Sequence, residues 1–207
     1  MSLKFYNTLT REKEVFIPIN PPHVGFYSCG PTVYDYVHIG NLRSYVFADI
    51  LQKTLEYSGY KVKRVMNITD IGHLSSDADS GEDKMTKGLL REGKELTLKN
   101  MRELAEFYTE KFKDDLIKLN IKVPNGIYFA SDYVKEDIKL LKKLEKKGYT
   151  YKTSDGIYFD TSKMPNYGIL WGGKRNWDEN HVRISENSEK KKSGRFCALE
   201  IQSKNWF

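Results

Sequence analysis

The sequence predicts an α/β fold built on a parallel sheet, and three observations predict it. His23–Gly30, HVGFYSCG, is a short apolar run closed by glycine; Asn41–Ser58 spaces its apolar residues at three and four; Lys61–Thr69, KVKRVMNIT, returns to strand character. Apolar runs bounded by turn residues read as strands, and a three-four repeat reads as a helix. Strand, helix and strand in that order make a βαβ unit, whose crossover is right-handed and whose strands run parallel.

Each element has its own local cause. Gly30 and Pro31 turn the chain at the end of the first strand, and glycine lets backbone approach a ligand closely. Asn41 is a good N-cap residue, the helix turns Leu42, Tyr45, Val46, Asp49/Ile50 and Leu55 inward, and Gly59 ends it. The loop Cys29–His38 and the strand end Asn67–Asp70 then fall together at the carboxyl edge of the sheet, where open α/β sheets bind ligands. The polar stretch from Ile71 to Glu95, broken by Gly72, Gly81, Gly88 and Gly93, reads as a mobile loop with one short helix. Asn100–Asn120 is an amphipathic helix carrying Leu104, Phe107, Tyr108, Phe112, Leu116 and Leu119. Ser131 is placed to N-cap a further helix with Val134, Ile138, Leu141 and Leu144 inward and Gly148 closing it. YTYKTSDGIYFDT puts a Ser-Asp-Gly turn between two alternating runs, a hairpin signal. GIYF occurs at Gly126–Phe129 and again at Gly156–Phe159, too short a match to define a repeat.

Composition narrows the function classes. The 207 residues suffice for one domain with a substantial core, or one domain carrying an insertion. No apolar run approaches the ~18 residues of a membrane span, and MSLKFYNTLTREKEVF lacks the apolar segment of a secretory signal. Two cysteines, Cys29 and Cys197, give no disulfide framework, so a reduced, cytoplasmic setting is expected. A net charge of +6 permits a polyanionic partner without requiring one. Lys61, Lys63 and Arg64 read as solvated charges as readily as nucleic-acid contacts.

The densest chemistry lies in YSCGPTVYDYVHIGN. Gly40 and Asn41 open a helix, where free amides and the helix dipole attract phosphate. His38 beside them can donate a hydrogen bond to a phosphoryl oxygen as charge develops; the alternative for it is a helix-capping residue. Thr69 and Asp70 face the same edge and can take a ribose hydroxyl or an amine. This is the arrangement of a nucleotide site, although neither a P-loop nor a G-x-G-x-x-G motif is present.

CGPTVYDYVHIGNLRSYV followed by VMNITDIGH resembles the first half of the catalytic domain of the cysteinyl-tRNA synthetases, Rossmann-like class I aminoacyl-tRNA synthetases. Their HIGH signature corresponds to His38-Ile39-Gly40-Asn41, and the likeness continues to about Arg183. The resemblance implies joining of cysteine to ATP, with Mg2+ accompanying the nucleotide, to give cysteinyl-adenylate and pyrophosphate, then esterification of the 3′ end of tRNA(Cys). It implies that His38, Gly40 and Asn41 cradle ATP, with His38 and Asn41 catalytic, and that Gly30, Thr32, Thr69 and Asp70 line the cysteine and ribose pocket. It also implies that Cys29 is a zinc ligand, the zinc selecting cysteine by its thiolate; thiolates are soft ligands that zinc holds well. The alternative for Cys29 is a small buried residue.

The resemblance has gaps. Zinc needs roughly four ligands; the family supplies the others from a WHIECS-type motif and just beyond it, which is missing here, and GRFCALE around Cys197 does not match. His23, His73 and His181 read as surface or loop residues. KMTK, Lys84–Lys87, follows the second strand too closely to be the family's KMSKS loop, so Lys84 and Lys87 read as solvated helix positions. SDADSGED reads as a charged loop without the closing glutamate of a calcium site, and Asp49 reads as structural. The tail has a form of its own. With suitable synonymous codons, Arg195–Phe207 read one base out gives Asp-Phe-Ala-Leu-Trp-Lys, as in the family. A frameshift product is expected from about Arg195, against a divergent natural tail.

The domains expected are 1–70, the first half of a Rossmann-like catalytic domain; 71–161, an insertion of loop, helices and hairpin; 162–194, the return segment; and 195–207, the atypical tail. A monomer is expected, and aminoacylation by this chain alone is expected to be nearly absent. Two other functions stay open: a cysteine-activating ligase with an amino-sugar acceptor, and a non-catalytic module that binds adenylate or tRNA.

Overall fold

The computed structural model describes residues 2–71, 84–153 and 156–171. The expectations for His73, SDADSGED, His181, Cys197, the segment after 171 and the tail lie outside the described residues. Among those described, two compact units are distinguished, one of residues 2–5, 14–71 and 84–133, the other of residues 6–13 and 134–171.

The chain starts with strands β1 (Lys4–Asn7) and β2 (Glu12–Val15), a two-stranded sheet that the sequence reading did not anticipate. Edge-to-face contacts of Phe16 with Phe5 and with Tyr60 fix the end of that sheet. The first unit is then built on β3 (His23–Ser28), α1 (Ile39–Tyr57) and β4 (Lys61–Ile68), with β3 and β4 parallel and His23 level with Lys61. The predicted βαβ unit is therefore present. Gly59 takes φ +89° after α1, the left-handed residue that ends the helix.

Two further helices, α2 (Lys84–Arg91) and α3 (Leu98–Lys118), cover this unit before the chain enters β5 (Gly126–Phe129). Thr97 caps α3 by accepting from the Asn100 amide at 3.1 Å. β5 joins β4 in parallel, Val65 opposite Gly126 and Ile68 opposite Phe129, giving the order β3-β4-β5. The span 71–161, expected as an insertion, thus contains the third strand of the parallel sheet.

The core follows from these pairings. Met66 and Ile68 alternate inward from β4 and meet Tyr45 of α1, Met85 and Leu89 of α2, and Leu104, Phe112 and Leu116 of α3. Tyr45 and Phe112 set their rings 4.8 Å apart. Each such side chain contributes about 1.5–3 kcal/mol by leaving water.

The buried faces differ from the sequence reading at several points. α1 buries Tyr45, Ala48, Asp49, Gln52 and Leu55 and leaves Val46 and Ile50 outside. Phe107 of α3 and Leu119, the residue that caps its C-terminus, are exposed as well. Arg64, read as solvated or as a nucleic-acid contact, is fully buried because it shares the inward face of β4 with Met66 and Ile68. Its Nη2 donates to the Lys122 carbonyl at 2.6 Å, and its amide donates to Asn125 Oδ1 at 2.8 Å. Asp49 is structural, accepting from the Lys122 amide at 2.8 Å and pairing with Lys53 at 2.7 Å.

In the second unit, α4 (Val134–Lys146) is followed by Gly148 at φ +72°, then by β6 (Thr150–Lys152) and β7 (Ile157–Phe159). These two strands pair antiparallel with Tyr151 opposite Tyr158, the predicted hairpin. Among the described residues no helix is long and apolar enough to cross a membrane.

Candidate functional site

The segment that leaves the carboxyl end of β3 carries two groups of side chains. The first is stitched to the end of β4. Thr32 and Thr69 form a parallel bridge; the Thr69 amide donates to the Pro31 carbonyl at 3.0 Å and the Val33 amide to the Thr69 carbonyl at 3.2 Å. Asn67 holds the turn itself: its Oδ1 accepts from the Gly30 amide at 3.0 Å and from the Tyr27 hydroxyl at 2.8 Å, and its Nδ2 donates to Thr69 Oγ1 at 3.2 Å. A β-carbon on Gly30 would lie 1.8 Å from the Asn67 carbonyl oxygen, so no other residue fits this approach.

Cys29 is exposed between these anchors. Desolvation first, then the neighbouring Cys29, push the Tyr27 phenol above its ordinary range. The same two causes push Tyr45 up to about 12. Among the described residues no group of three His, Cys, Asp or Glu side chains is placed to hold a metal ion. Cys29 is thus a single thiol donor there, and the described residues do not by themselves fit a zinc ion, which takes about four ligands.

The second group opens α1. The helix is capped by His38, one of the two roles weighed for it from the sequence, while Asn41, the other candidate cap, stands at its third position. His38 Nδ1 accepts from the Gly40 amide at 3.1 Å, and Asn41 Oδ1 accepts from the His38 amide at 3.2 Å, a reciprocal capping box. An Nδ1 that accepts carries no proton, so the neutral imidazole holds its hydrogen on Nε2. Among the described residues nothing takes that hydrogen. The first turn of α1 contains no acidic side chain, so the positive end of its dipole is not neutralised from within. Gly40 permits the fold-back: a β-carbon there would lie 2.9 Å from His38 Cε1 and 3.0 Å from its Nδ1.

Asp70 does not join these groups. It is 2% exposed, and both carboxylate oxygens are taken, Oδ1 by the Ser131 amide at 2.9 Å and Oδ2 by the Ser131 hydroxyl at 2.5 Å. Arg102, 4.1 Å above the Phe129 ring, stands 3.9 Å from the same Oδ2. Ser131, expected to cap α4, is committed to Asp70 instead, so the expected ligand contact becomes a tie between the ends of β4 and β5. The residue the sequence reading missed is Asn67. Its signal was present, an amide side chain two residues before Thr69 and level with the glycine turn, but a three-way amide anchor has no local pattern.

The comparisons follow the same residues. Residues 15–205 match the family described as tRNA synthetases class I (C) catalytic domain. A cysteine–tRNA ligase of Treponema denticola is 52% identical over 82% of the chain. Proteins of the same description from Burkholderia lata and Zymomonas mobilis are 49% and 46% identical over 82% and 81% of the chain. The chain spans about a third of the length of these curated relatives, 34%, 35% and 32% respectively. Motif, parallel sheet and matched span agree, and the chain belongs to the class I (C) tRNA synthetase catalytic-domain family.

Proposed function

We propose that this chain provides the nucleotide- and cysteine-facing part of a cysteine–tRNA ligase. In that reaction a carboxylate oxygen of cysteine attacks the α-phosphorus of ATP, and the bond to the leaving pyrophosphate breaks. A ribose hydroxyl at the 3′ end of tRNA(Cys) then attacks the adenylate carbonyl, and AMP leaves. Mg2+ would travel with the ATP phosphates, as it does where few protein carboxylates are offered.

The observation that carries the reading is the His38 cap. It presents an Nε2–H donor beside a helix N-terminus whose first turn holds no acidic side chain, on the loop of a chain from this family. A hydrogen bond from Nε2 to a phosphoryl oxygen strengthens as charge develops there. Asn41 serves by fixing the His38 backbone, and Gly40 by admitting the ring. Thr32 and Thr69 offer hydroxyls at the bridge between loop and β4, for a ribose or an amine, and Gly30 serves by letting the loop lie against the Asn67 backbone. Cys29 would give one donor to a zinc ion whose other ligands lie outside the described residues; when bound, such an ion supplies selectivity for a thiolate. Asp70 is assigned no ligand contact.

The test is equilibrium dialysis of labelled ATP with Mg2+ against the full-length protein that carries this segment. His38→Ala is expected to weaken binding by about 10-fold or more, the scale of one hydrogen bond to a charged group. Saturable binding indifferent to that change, or no binding at all, overturns the reading.

A further inference from the structure

Outside the two groups above, a cation holds the loop between them. Arg91, the last residue of α2, donates from Nη1 to Asp35 Oδ2 at 2.5 Å and from Nη2 to the Tyr34 carbonyl at 2.8 Å. Its Nη2 also donates to the Tyr108 hydroxyl at 2.9 Å, and that hydroxyl donates to Glu92 Oε1 at 2.7 Å. The planar guanidinium thus reads one side chain and one carbonyl on consecutive loop residues, a geometry lysine cannot reproduce. Asp35 completes the loop from its other oxygen, Oδ1 accepting from the Tyr36 amide at 2.7 Å. Tyr36 in turn stands edge-on to Tyr108 at 5.2 Å. Lys84, at the other end of α2, lies 5.9 Å above the Tyr34 ring.

We infer that Arg91 is a positioning residue for His38, fixing through Tyr34 and Asp35 the loop that delivers this histidine to the cap of α1. The path is short. Val33 is buried and tied to Thr69, which fixes the start of the segment. His38 is exposed and held by Gly40 and Asn41, which fixes its end. Between them, Tyr34 and Asp35 are tied to Arg91, while the helix holding Arg91 is anchored in the core by Met85 and Leu89, neither of them exposed to solvent. Arg91 and Asp35 are themselves 43% and 45% exposed, so the pair contributes little to overall stability and its effect falls on where the loop stands. No part of Arg91 is assigned to touch the nucleotide. Displacement of a reacting group by about 1 Å is enough to lower a rate by roughly 100-fold, and loss of one hydrogen bond to a charged group weakens binding by about 10-fold or more.

The inference rests on the nucleotide reading of His38, so the experiment separates the two. In the full-length protein, Arg91→Ala, Arg91→Lys and Asp35→Asn are compared for three properties: melting temperature, ATP dissociation constant with Mg2+, and the amide exchange rate and chemical shift of Gly40. Asp35→Asn keeps the turn to Tyr36 and changes only an exposed charge, so it reports even if Arg91→Ala folds poorly. The expected result is nearly unchanged melting, on the order of tenfold weaker ATP binding in Arg91→Ala and Asp35→Asn, partial recovery in Arg91→Lys, and faster Gly40 exchange. Wild-type ATP affinity in both Arg91→Ala and Asp35→Asn overturns the inference. If the wild-type protein itself fails to bind ATP, the nucleotide reading falls and Gly40 decides alone. A changed Gly40 amide then upholds Arg91 as the residue that positions the His38 cap, and an unchanged one overturns it.

Discussion

A β-carbon would meet a neighbour at both Gly30 and Gly40, yet the two substitutions should act in different ways. A β-carbon on Gly30 meets the Asn67 carbonyl at 1.8 Å and Met66 Cγ at 2.8 Å, so backbone must move. Gly30→Ala is expected to cost about 3 kcal/mol or more, the upper range of overpacking. Gly25, within β3 and with nothing within 4 Å of its missing β-carbon, is the control. Gly25→Ala should be neutral or stabilising by up to about 1 kcal/mol, since glycine weakens strand interiors. Urea unfolding of the two variants measures the contrast, and equal losses would refute the steric account. At Gly40 the obstacle is a movable ring, His38, rather than backbone. Alanine gains up to about 1 kcal/mol in helix propensity over glycine, while loss of the cap removes about as much. Gly40→Ala should therefore unfold at nearly the wild-type urea concentration yet bind ATP more weakly. Unchanged ATP affinity would mean that the folded-back His38 ring is not what the nucleotide meets.

Among elements, Ser131 tests how the sheet edge is closed. Ser131→Ala removes the hydroxyl that serves Asp70 Oδ2 inside a 2% exposed site and should destabilise by about 1–3 kcal/mol, the scale of an unsatisfied buried acceptor. A loss below about 0.5 kcal/mol would show Arg102, already 3.9 Å away, taking over that oxygen. The same corner marks where the sequence was and was not readable. α3 and the β6–β7 hairpin were legible because a long three-four repeat and a Ser-Asp-Gly turn are local signals. β5 was not: four residues with no alternation of burial acquire strand identity from a partner some sixty positions earlier, opposite Val65 to Ile68. Asp70 misled for a related reason. A carboxylate at a strand end looks the same in sequence whether a ligand or a serine on the next strand fills it. The inner face of α1 was ambiguous because apolar residues ring the helix: Tyr45 and Leu55 go inward, while Phe47, Ile50 and Tyr57 are exposed. The loop residues Cys29, Gly30, His38 and Gly40 stood out because glycine, proline and histidine carry meaning without partners. Asn67 and Arg91, which hold that loop, are defined only by contacts across the fold.

On the scale of the whole molecule, the core that joins α1, α2 and α3 to the sheet carries a titration of its own. Tyr45 and Tyr108 both belong to it, and both are pushed up to about 12. For Tyr45 the cause is burial and then Cys29; for Tyr108 it is burial and then its hydrogen bond to Glu92, with Arg91 opposing. An unfolded tyrosine titrates near 10. Between those values the unfolded chain gives up protons that the folded chain keeps, so rising pH draws the equilibrium toward unfolding. The contribution of the two phenols is fully present below pH of about 10 and is lost as pH climbs through about 12. The urea midpoint should therefore stay flat with respect to these groups up to pH about 10 and fall between about 10 and about 12, while phenolate absorbance of the folded protein lags behind that of free tyrosine. Tyr45→Phe removes one of the two groups and keeps its ring against Phe112, so its midpoint should fall less steeply over the same window. A variant that loses stability as steeply as the wild type would show that the Tyr45 hydroxyl is ionised as easily inside the core as outside it. Burial between α1 and α3 would then not be what holds its proton.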